Sequence, residues 1–452
     1  MDEFVLEIKR RIITAGGLPL IVGGYVRDKA MGIKPKDTDI EVYRLSVEQI
    51  IRALDGFRLD VVGQSFGVVK VFIEDQDFDI SVPRRESKCG VGHKGFQVQP
   101  DPNMTPQEAA SRRDFTMNSL AETPEGEILY FFGGLQDIRD RVLRRTSSQF
   151  TEDPLRVLRA MQFAARFQMK MEPQTVALCQ SISSEFSTLA RERVYGEFVK
   201  LMMKGSAIGL GISLLKDVGW LAHFPALYAL DGCPQDSIWH PEGDVLIHTQ
   251  FVCDAAHAIA EREKLGEHER LILMFSALLH DVGKAHTTVK DELGRWTAPG
   301  HAEAGVEPAR QFLESLGAPN FLTEAVLPLV REHMAHLSIS VPTERFIRRL
   351  AVRLGVSSIE AWGRLVEADH SGRPPLPKGN PVIPFIEMAR NLSVIDSAPK
   401  PILLGRHLIE NFQMLPGLEM GSVLKAAYQV QLEEGWTDLE TALTWVRSRA
   451  QI

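Results

Sequence analysis

Apolar and polar positions follow two rhythms along this chain. Residues 18–22, "LPLIV", and 67–82, "GVVKVFIEDQDFDISV", are rich in β-branched residues and broken by polar turns. That pattern predicts strands of a mixed α/β unit over roughly the first 140 residues. The N-terminal stretch "MDEFVLEIKRRIITAGG" reads instead as an amphipathic helix. From about residue 153, "DPLRVLRAMQFAARFQM" repeats apolar residues at three- and four-residue spacing, and most of the chain beyond it is expected to be helical. Two Pro-rich stretches, "DGCPQDSIWHPEGD" at 231–244 and "GRPPLPKGNPVIP" at 372–384, mark expected boundaries. The expected class is α+β, with segments at 1–145, 146–230, 231–371 and 372–452.

Length and composition narrow this picture. A chain of 452 residues with 44% hydrophobic content holds about three domains. No stretch approaches the roughly 20 apolar residues of a membrane span, and the start of the chain lacks the basic lead and apolar core of a signal peptide. A cytoplasmic protein is expected. Cys89, Cys179, Cys233 and Cys253 lie far apart with no C-x-x-C pair, which fits neither a disulfide framework nor a thiolate zinc site. The net charge of −8 argues against nucleic-acid binding through bulk charge. Locally, residues 139–170 carry eight Arg/Lys against three acids, a basic stripe that points to nucleic acid.

Candidate chemistry concentrates first in "LPLIVGGYVRDKAMGIKPKDTDIEVY", residues 18–43. A buried strand entering Gly23-Gly24 and then a helix lets backbone N–H groups approach a phosphate. On an extended strand Asp37 and Asp39 point to one face. Paired hard oxygen ligands suit Mg²⁺, with phosphate oxygens completing the shell. Asp79 on the following hairpin offers a third carboxylate, with Asp77 on the same face as its competitor.

These residues resemble the nucleotidyltransferase signature of the bacterial CCA-adding tRNA nucleotidyltransferase and poly(A) polymerase family. Further matches occur in the family's order: "ASRRDFTMNSLA" (110–121), "YFFGGLQDIRDRVLR" (130–144), "EDPLRVLRAMQFAARF" (152–167) and "RERVYGEFVKLM" (191–202). The resemblance implies a polymerase-β-like mixed sheet in the head. It implies that Asp37, Asp39 and Asp79 are catalytic carboxylates holding Mg²⁺. Gly23, Gly24, Arg27 and Asp28 would form the triphosphate turn, and Arg112, Asp114 and Asn118 would contact ribose and triphosphate. Asp153 and Arg156, three apart on one helical face, would read the base in place of a template, with Arg159 a further nucleotide contact. The segment "PRRESKCGVGHKGFQVQP" (83–100) resembles the family's flexible switching segment and is expected to be a mobile loop.

A second concentration is histidine: eleven of the thirteen fall between His223 and His370. His248, His280, Asp281 and Asp369, joined by His301 and His333, form a cysteine-free set suited to Mn²⁺, Fe²⁺, Co²⁺, Ni²⁺ or Zn²⁺. The H…HD…D order resembles the all-α HD phosphohydrolase domain. That likeness implies metal-dependent phosphate release from 2′-nucleotides and 2′,3′-cyclic phosphates. His257, His268, His286 and His336 are expected to be surface or core residues. The tail from residue 403 reads as amphipathic helices packed on the rest.

The expectation is therefore a template-independent enzyme adding CCA to tRNA from CTP and ATP, monomeric or homodimeric and with no membrane partner, plus an HD phosphohydrolase. Its rivals are an A-adding enzyme, a poly(A) polymerase, and an RNA-binding protein whose only active site is the HD cluster.

Overall fold

The computed structural model describes residues 3–62, 67–88 and 96–449. The chain forms two compact units, 1–223 and 224–452.

In the first unit seven strands build a mixed sheet. They are β1 (Leu18–Val22), β2 (Asp39–Tyr43), β3 (Arg58–Val62), β4 (Val68–Ile73), β5 (Gln76–Ser81), β8 (Ala121–Glu122) and β9 (Ile128–Leu129), ordered β3-β4-β5-β2-β1-β8-β9. Between them β6 (Arg84–Lys88) and β7 (Phe96–Pro100) pair apart from the main sheet. The sheet is antiparallel except where β2 runs parallel to β5, with Asp39 beside Asp79. Alternation does the sorting: Ile40 and Ile80 are fully buried in the core made with Val5, Ile8 and Ile12 of the N-terminal helix. Asp39, Glu41 and Asp79 must then face away from that core.

The helix Leu155–Phe167 packs on Arg191–Lys204 and Ile208–Asp217. Their approach is close, since a Cβ on Gly211 would lie 2.9 Å from the Met161 carbonyl oxygen. Edge-to-face rings of Phe115, Phe150 and Phe163 join this helix to the segment after the sheet.

The second unit is helical apart from a short ribbon, Val289–Lys290 against Trp296–Thr297, which the expected all-α pattern did not include. Helices Val245–Glu263, Glu267–Leu279, Asn320–Glu332 and Ile359–Ser371 pack together. Asp244 caps the first of them by accepting from the Ile247 N–H at 2.9 Å. The tail forms helices around a core that includes Leu408, Met420 and Trp436. Among the described residues, no helix is long and apolar enough to cross a membrane.

Candidate functional site

The first candidate site lies on the carboxylate-bearing face of the head sheet, around β1, β2 and β5. β1 ends at Val22, Gly23 takes φ +70, and the helix Gly24–Ala30 begins at once. A side chain at Gly23 would also strike the Arg113 guanidinium, 2.6 Å from the ideal Cβ. The positive φ is what favours glycine here, since the Arg113 tip can swing aside. Asp37 is exposed but precedes β2, so the common face expected from an extended strand does not arise that way. The pairing that brings carboxylates together is instead Asp39 with Asp79 across the parallel β2–β5 ladder. Asp77 contacts Lys70 at 3.3 Å, and Lys70 also lies 3.3 Å from Asp79.

Although its side chain reaches solvent, Asp39 has its carboxyl pushed up from the ordinary value. Partial desolvation is the leading cause; Asp79, Asp37 and Glu41 add repulsion, and the Arg113 guanidinium opposes it. Arg113, 3.8 Å from Glu41, is the arginine of "RRDF" that faces the acids. Arg112, the arginine expected from the motif, donates to the Arg84 carbonyl.

Behind the turn is a buried polar chain. Arg27 donates to Asp28 at 2.7 Å and to Asn118 Oδ1 at 2.7 Å. Asn118 Nδ2 donates to Asp114 at 2.9 Å, and Arg159 donates to the other Asp114 oxygen at 2.8 Å. Burial alone would raise the Asp114 carboxyl, but Arg159, Asn118 and the Phe115 N–H outweigh it and hold the group below its ordinary value. Five of the expected nucleotide contacts, Arg27, Asp28, Asn118, Asp114 and Arg159, thus bond to one another.

Asp153 lies just before the Leu155–Phe167 helix rather than within it. Its carboxylate accepts from Arg193 at 2.8 Å and from the Leu155 N–H at 3.2 Å. Arg156 donates to the Gln149 and Arg112 carbonyls, both at 2.7 Å. The two residues share a helix start, each held by its own partners, and not one turn of a helical face. The expected mobile loop is in part the β6–β7 ladder; its tip, residues 89–95 with Cys89, lies outside the described residues. The basic stripe is likewise divided: Arg144 pairs with Asp137 and Glu172, at 3.1 and 2.7 Å, while Arg159 serves Asp114.

The second candidate site lies wholly in the second unit. His280 ends the Glu267–Leu279 helix and Asp281 comes directly after it, so the pair sits at a helix terminus rather than inside one. Asp281 Oδ2 is 3.2 Å from His280 Nε2 and 3.6 Å from His248 Nε2, while Asp281 Oδ1 is 3.2 Å from His301 Nε2 and 3.7 Å from His333 Nε2. Asp369 lies 3.1 Å from His248 Nε2 and 4.0 Å from His280 Nε2. These contacts form two groups able to hold a cation, His248–His280–Asp369 and Asp281–His301–His333, with Asp281 touching both.

The donor set fits divalent transition metals. His280, His301 and His333 each place Nδ1 within 2.9 Å of a carbonyl, those of Ala277, Ala298 and Val330. A carbonyl only accepts, so each Nδ1 carries the proton and each Nε2 turns a lone pair to the centre. His280 Nε2 is buried without a hydrogen bond. A divalent cation among these nitrogens and the Asp281 and Asp369 carboxylates would satisfy them together.

Around this cluster the structure adds residues that the motif left out. Glu242 Oε1 lies 2.8 Å from His248 Nδ1 and 2.9 Å from His240 Nδ1. Despite burial, its two histidine partners lower the Glu242 carboxyl to about 2. Lys284 reaches Asp281 at 2.7 Å. The signal for both was proximity in sequence: Glu242 stands in "WHPEGDV" and Lys284 one turn after "HD". His336, expected to be unremarkable, joins Asp281, His301 and Asp369 in lining a cavity of about 610 Å³.

Comparison with known proteins now adds a family. Residues 20–144 match the model of the poly A polymerase head domain, 168–230 that of the probable RNA and SrmB-binding site of polymerase A, and 245–369 that of the HD domain. The multifunctional CCA protein of Psychromonas ingrahamii is 34% identical over 78% of this chain and 84% of its own. That of Halorhodospira halophila is 37% identical over 71% of this chain and 74% of its own. In fold, the chain resembles the CCA-adding enzyme of Bacillus stearothermophilus in complex with CTP, with TM-score 0.66 and 20% identity over 98% and 97% of the two chains. It also resembles the Thermotoga maritima CCA-adding enzyme complexed with tRNA_CCA, with TM-score 0.61 and 19% identity over 100% and 97%. With both carboxylate-bearing sites in place and identity of this extent to its relatives, the chain belongs to the family of the multifunctional CCA proteins.

Proposed function

We propose that this protein adds CCA to the 3′ end of tRNA from CTP and ATP without a nucleic-acid template, and that its HD cluster removes phosphate from RNA 3′ ends. The observation that carries the first activity is the register of Asp39 beside Asp79, with Asp37 just before the strand. In the transfer, the RNA 3′-hydroxyl attacks the α-phosphorus, a new P–O bond forms, and the bond to pyrophosphate breaks. Mg²⁺ held by Asp37, Asp39 and Asp79 would supply the positive charge that favours the attacking oxygen and the leaving pyrophosphate. Gly23 and Gly24 let the triphosphate approach the backbone, and Arg113 faces the same carboxylates.

The chain Arg27–Asn118–Asp114–Arg159 fixes the floor of the nucleotide site and leaves little freedom for the ribose. Asp153 and Arg156 present acceptor and donor groups at one helix start, where the incoming base is selected. Residues 1–145 act as the head, 146–230 as the base-selecting and RNA-binding segment, 231–371 as the HD domain and 372–452 as the tail.

His248, His280, Asp281 and Asp369, with His301 and His333, are the proposed holders of a transition metal such as Ni²⁺, Mn²⁺, Co²⁺ or Fe²⁺. Such an ion would supply Lewis acidity for attack of water on phosphorus. Lys284 places a second cation at Asp281, where an anionic ester would dock. Asp79→Ala and Asp77→Ala are the discriminating pair for the transfer site. Extension of tRNA is expected to vanish in the first and persist in the second; persistence in Asp79→Ala contradicts the assignment.

A further inference from the structure

Two tryptophans border the HD cavity beside groups already assigned to the cluster. Trp239 is 64% exposed, a large apolar surface to leave in water. Its loop is not loose. Gln235 at one end accepts from Lys284 at 2.8 Å, and Lys284 in turn holds Asp281. On the other side, His240 follows Trp239 directly and meets Glu242, which supports His248. Backbone bonds from the Trp239 and His240 N–H groups to the Asp236 carbonyl, at 3.2 and 2.8 Å, set the turn between them. The backbone that carries Trp239 is therefore tied on both sides to residues that hold the metal-ligating side chains.

Trp296 reaches the same cavity from the short ribbon. Lys290 lies 4.9 Å from its ring centroid, and Ala298, two residues on, accepts from His301 Nδ1. Trp239 thus stands beside the His240–Glu242 support of His248, and Trp296 shortly before His301, on different segments. Lys284 and Arg373 line the same cavity and give it positive charge. An apolar aromatic rim above cations and metal ligands suits a ligand with a flat ring at one end and a phosphate at the other. At about 610 Å³ the space accepts one nucleotide unit.

We propose that Trp239 and Trp296 form a base-stacking rim, so that the HD cavity takes phosphate esters carrying a nucleobase and discriminates against the same ester without one. This rests on the phosphohydrolase reading of the cluster. Stacking on an indole is tolerant of base identity, because every base offers a π-face. The rim therefore selects for the presence of a base and not for which base.

The test compares adenosine 2′-monophosphate with glycerol 2-phosphate as substrates of the Mn²⁺-loaded full-length chain. The wild type prefers the nucleotide in kcat/KM, and Trp239→Ala cuts that preference about tenfold. Trp239→Phe, which keeps a stacking face, restores most of it, and Trp296→Ala acts in the same direction as Trp239→Ala. Equilibrium dialysis of adenosine 2′-monophosphate reads the loss without turnover. An unchanged preference together with unchanged dialysis in Trp239→Ala overturns the rim. Hydrolysis of neither ester by the wild type, with about tenfold weaker dialysis in Trp239→Ala, overturns the phosphohydrolase reading and supports the rim.

Discussion

Single residues carry the transfer site through charge placement. Loss of an outer partner of a metal ligand alone costs roughly 10–100-fold, so Asp39→Ala is expected to lower the rate of tRNA extension by more than about 100-fold, measured under single turnover. Asp114→Asn tests the buried chain behind it. Removing the carboxylate leaves Arg159 without its charged acceptor and is expected to lower stability by about 1–3 kcal/mol in a urea titration. The pH sign is fixed by direction: Asp114 is held below its ordinary 3.8 in the fold. Its contribution is present above that value and is lost as pH falls from 3.8 toward the lower, folded value. The wild type then approaches Asp114→Asn in stability at acid pH, and a constant gap across the range contradicts the pairing. The glycine turn was legible in the sequence because turn chemistry is local, whereas the meeting of Asp39 with Asp79 depends on the β2–β5 pairing. Arg113 was not legible: two adjacent arginines look alike until a fold gives one of them a neighbour such as Glu41.

Elements decide where the cluster residues meet. The sequence order His248, His280, Asp281, Asp369 was readable, but the end of the helix was not: it stops at Leu279, and His280 and Asp281 follow it. The stop has a packing cause. A Cβ on Gly283 would lie 2.0 Å from the His301 carbonyl oxygen and 2.5 Å from the Gly305 nitrogen, so the turn after Asp281 presses against the His301 segment. Gly283→Ala is expected to cost about 1–3 kcal/mol in folding stability. It should also weaken Mn²⁺ binding about tenfold by moving His301 from Asp281, read by metal titration of the full chain. Wild-type affinity in that variant would show that the contact does not set the site. The β2–β5 register was hidden for a related reason. Parallel pairing across the intervening β3–β4 excursion depends on contacts far apart in sequence, and period alone does not report it.

At the scale of the whole molecule, the two candidate centres lie in separate compact units, the head carboxylates in one and the histidine–aspartate groups in the other. Asp39→Ala is expected to abolish extension and keep hydrolysis of 2′,3′-cyclic phosphate, and Asp281→Ala the reverse. Loss of both activities in either variant contradicts two independent centres. The α+β division between a head sheet and later helices was visible in the change of hydrophobic period. The surroundings of Asp153 and Arg156 were not, because their partners Arg193, Gln149 and Arg112 lie on other segments that spacing does not bring together. The most direct measurement is a gel assay with tRNA ending before CCA, after C and after CC, supplied with CTP, ATP or both, with Asp39→Ala alongside. The account predicts completion to CCA on all three when both nucleotides are present, absent in the variant. Extension only of the CC-ended tRNA, a long ATP ladder, or no extension would contradict it.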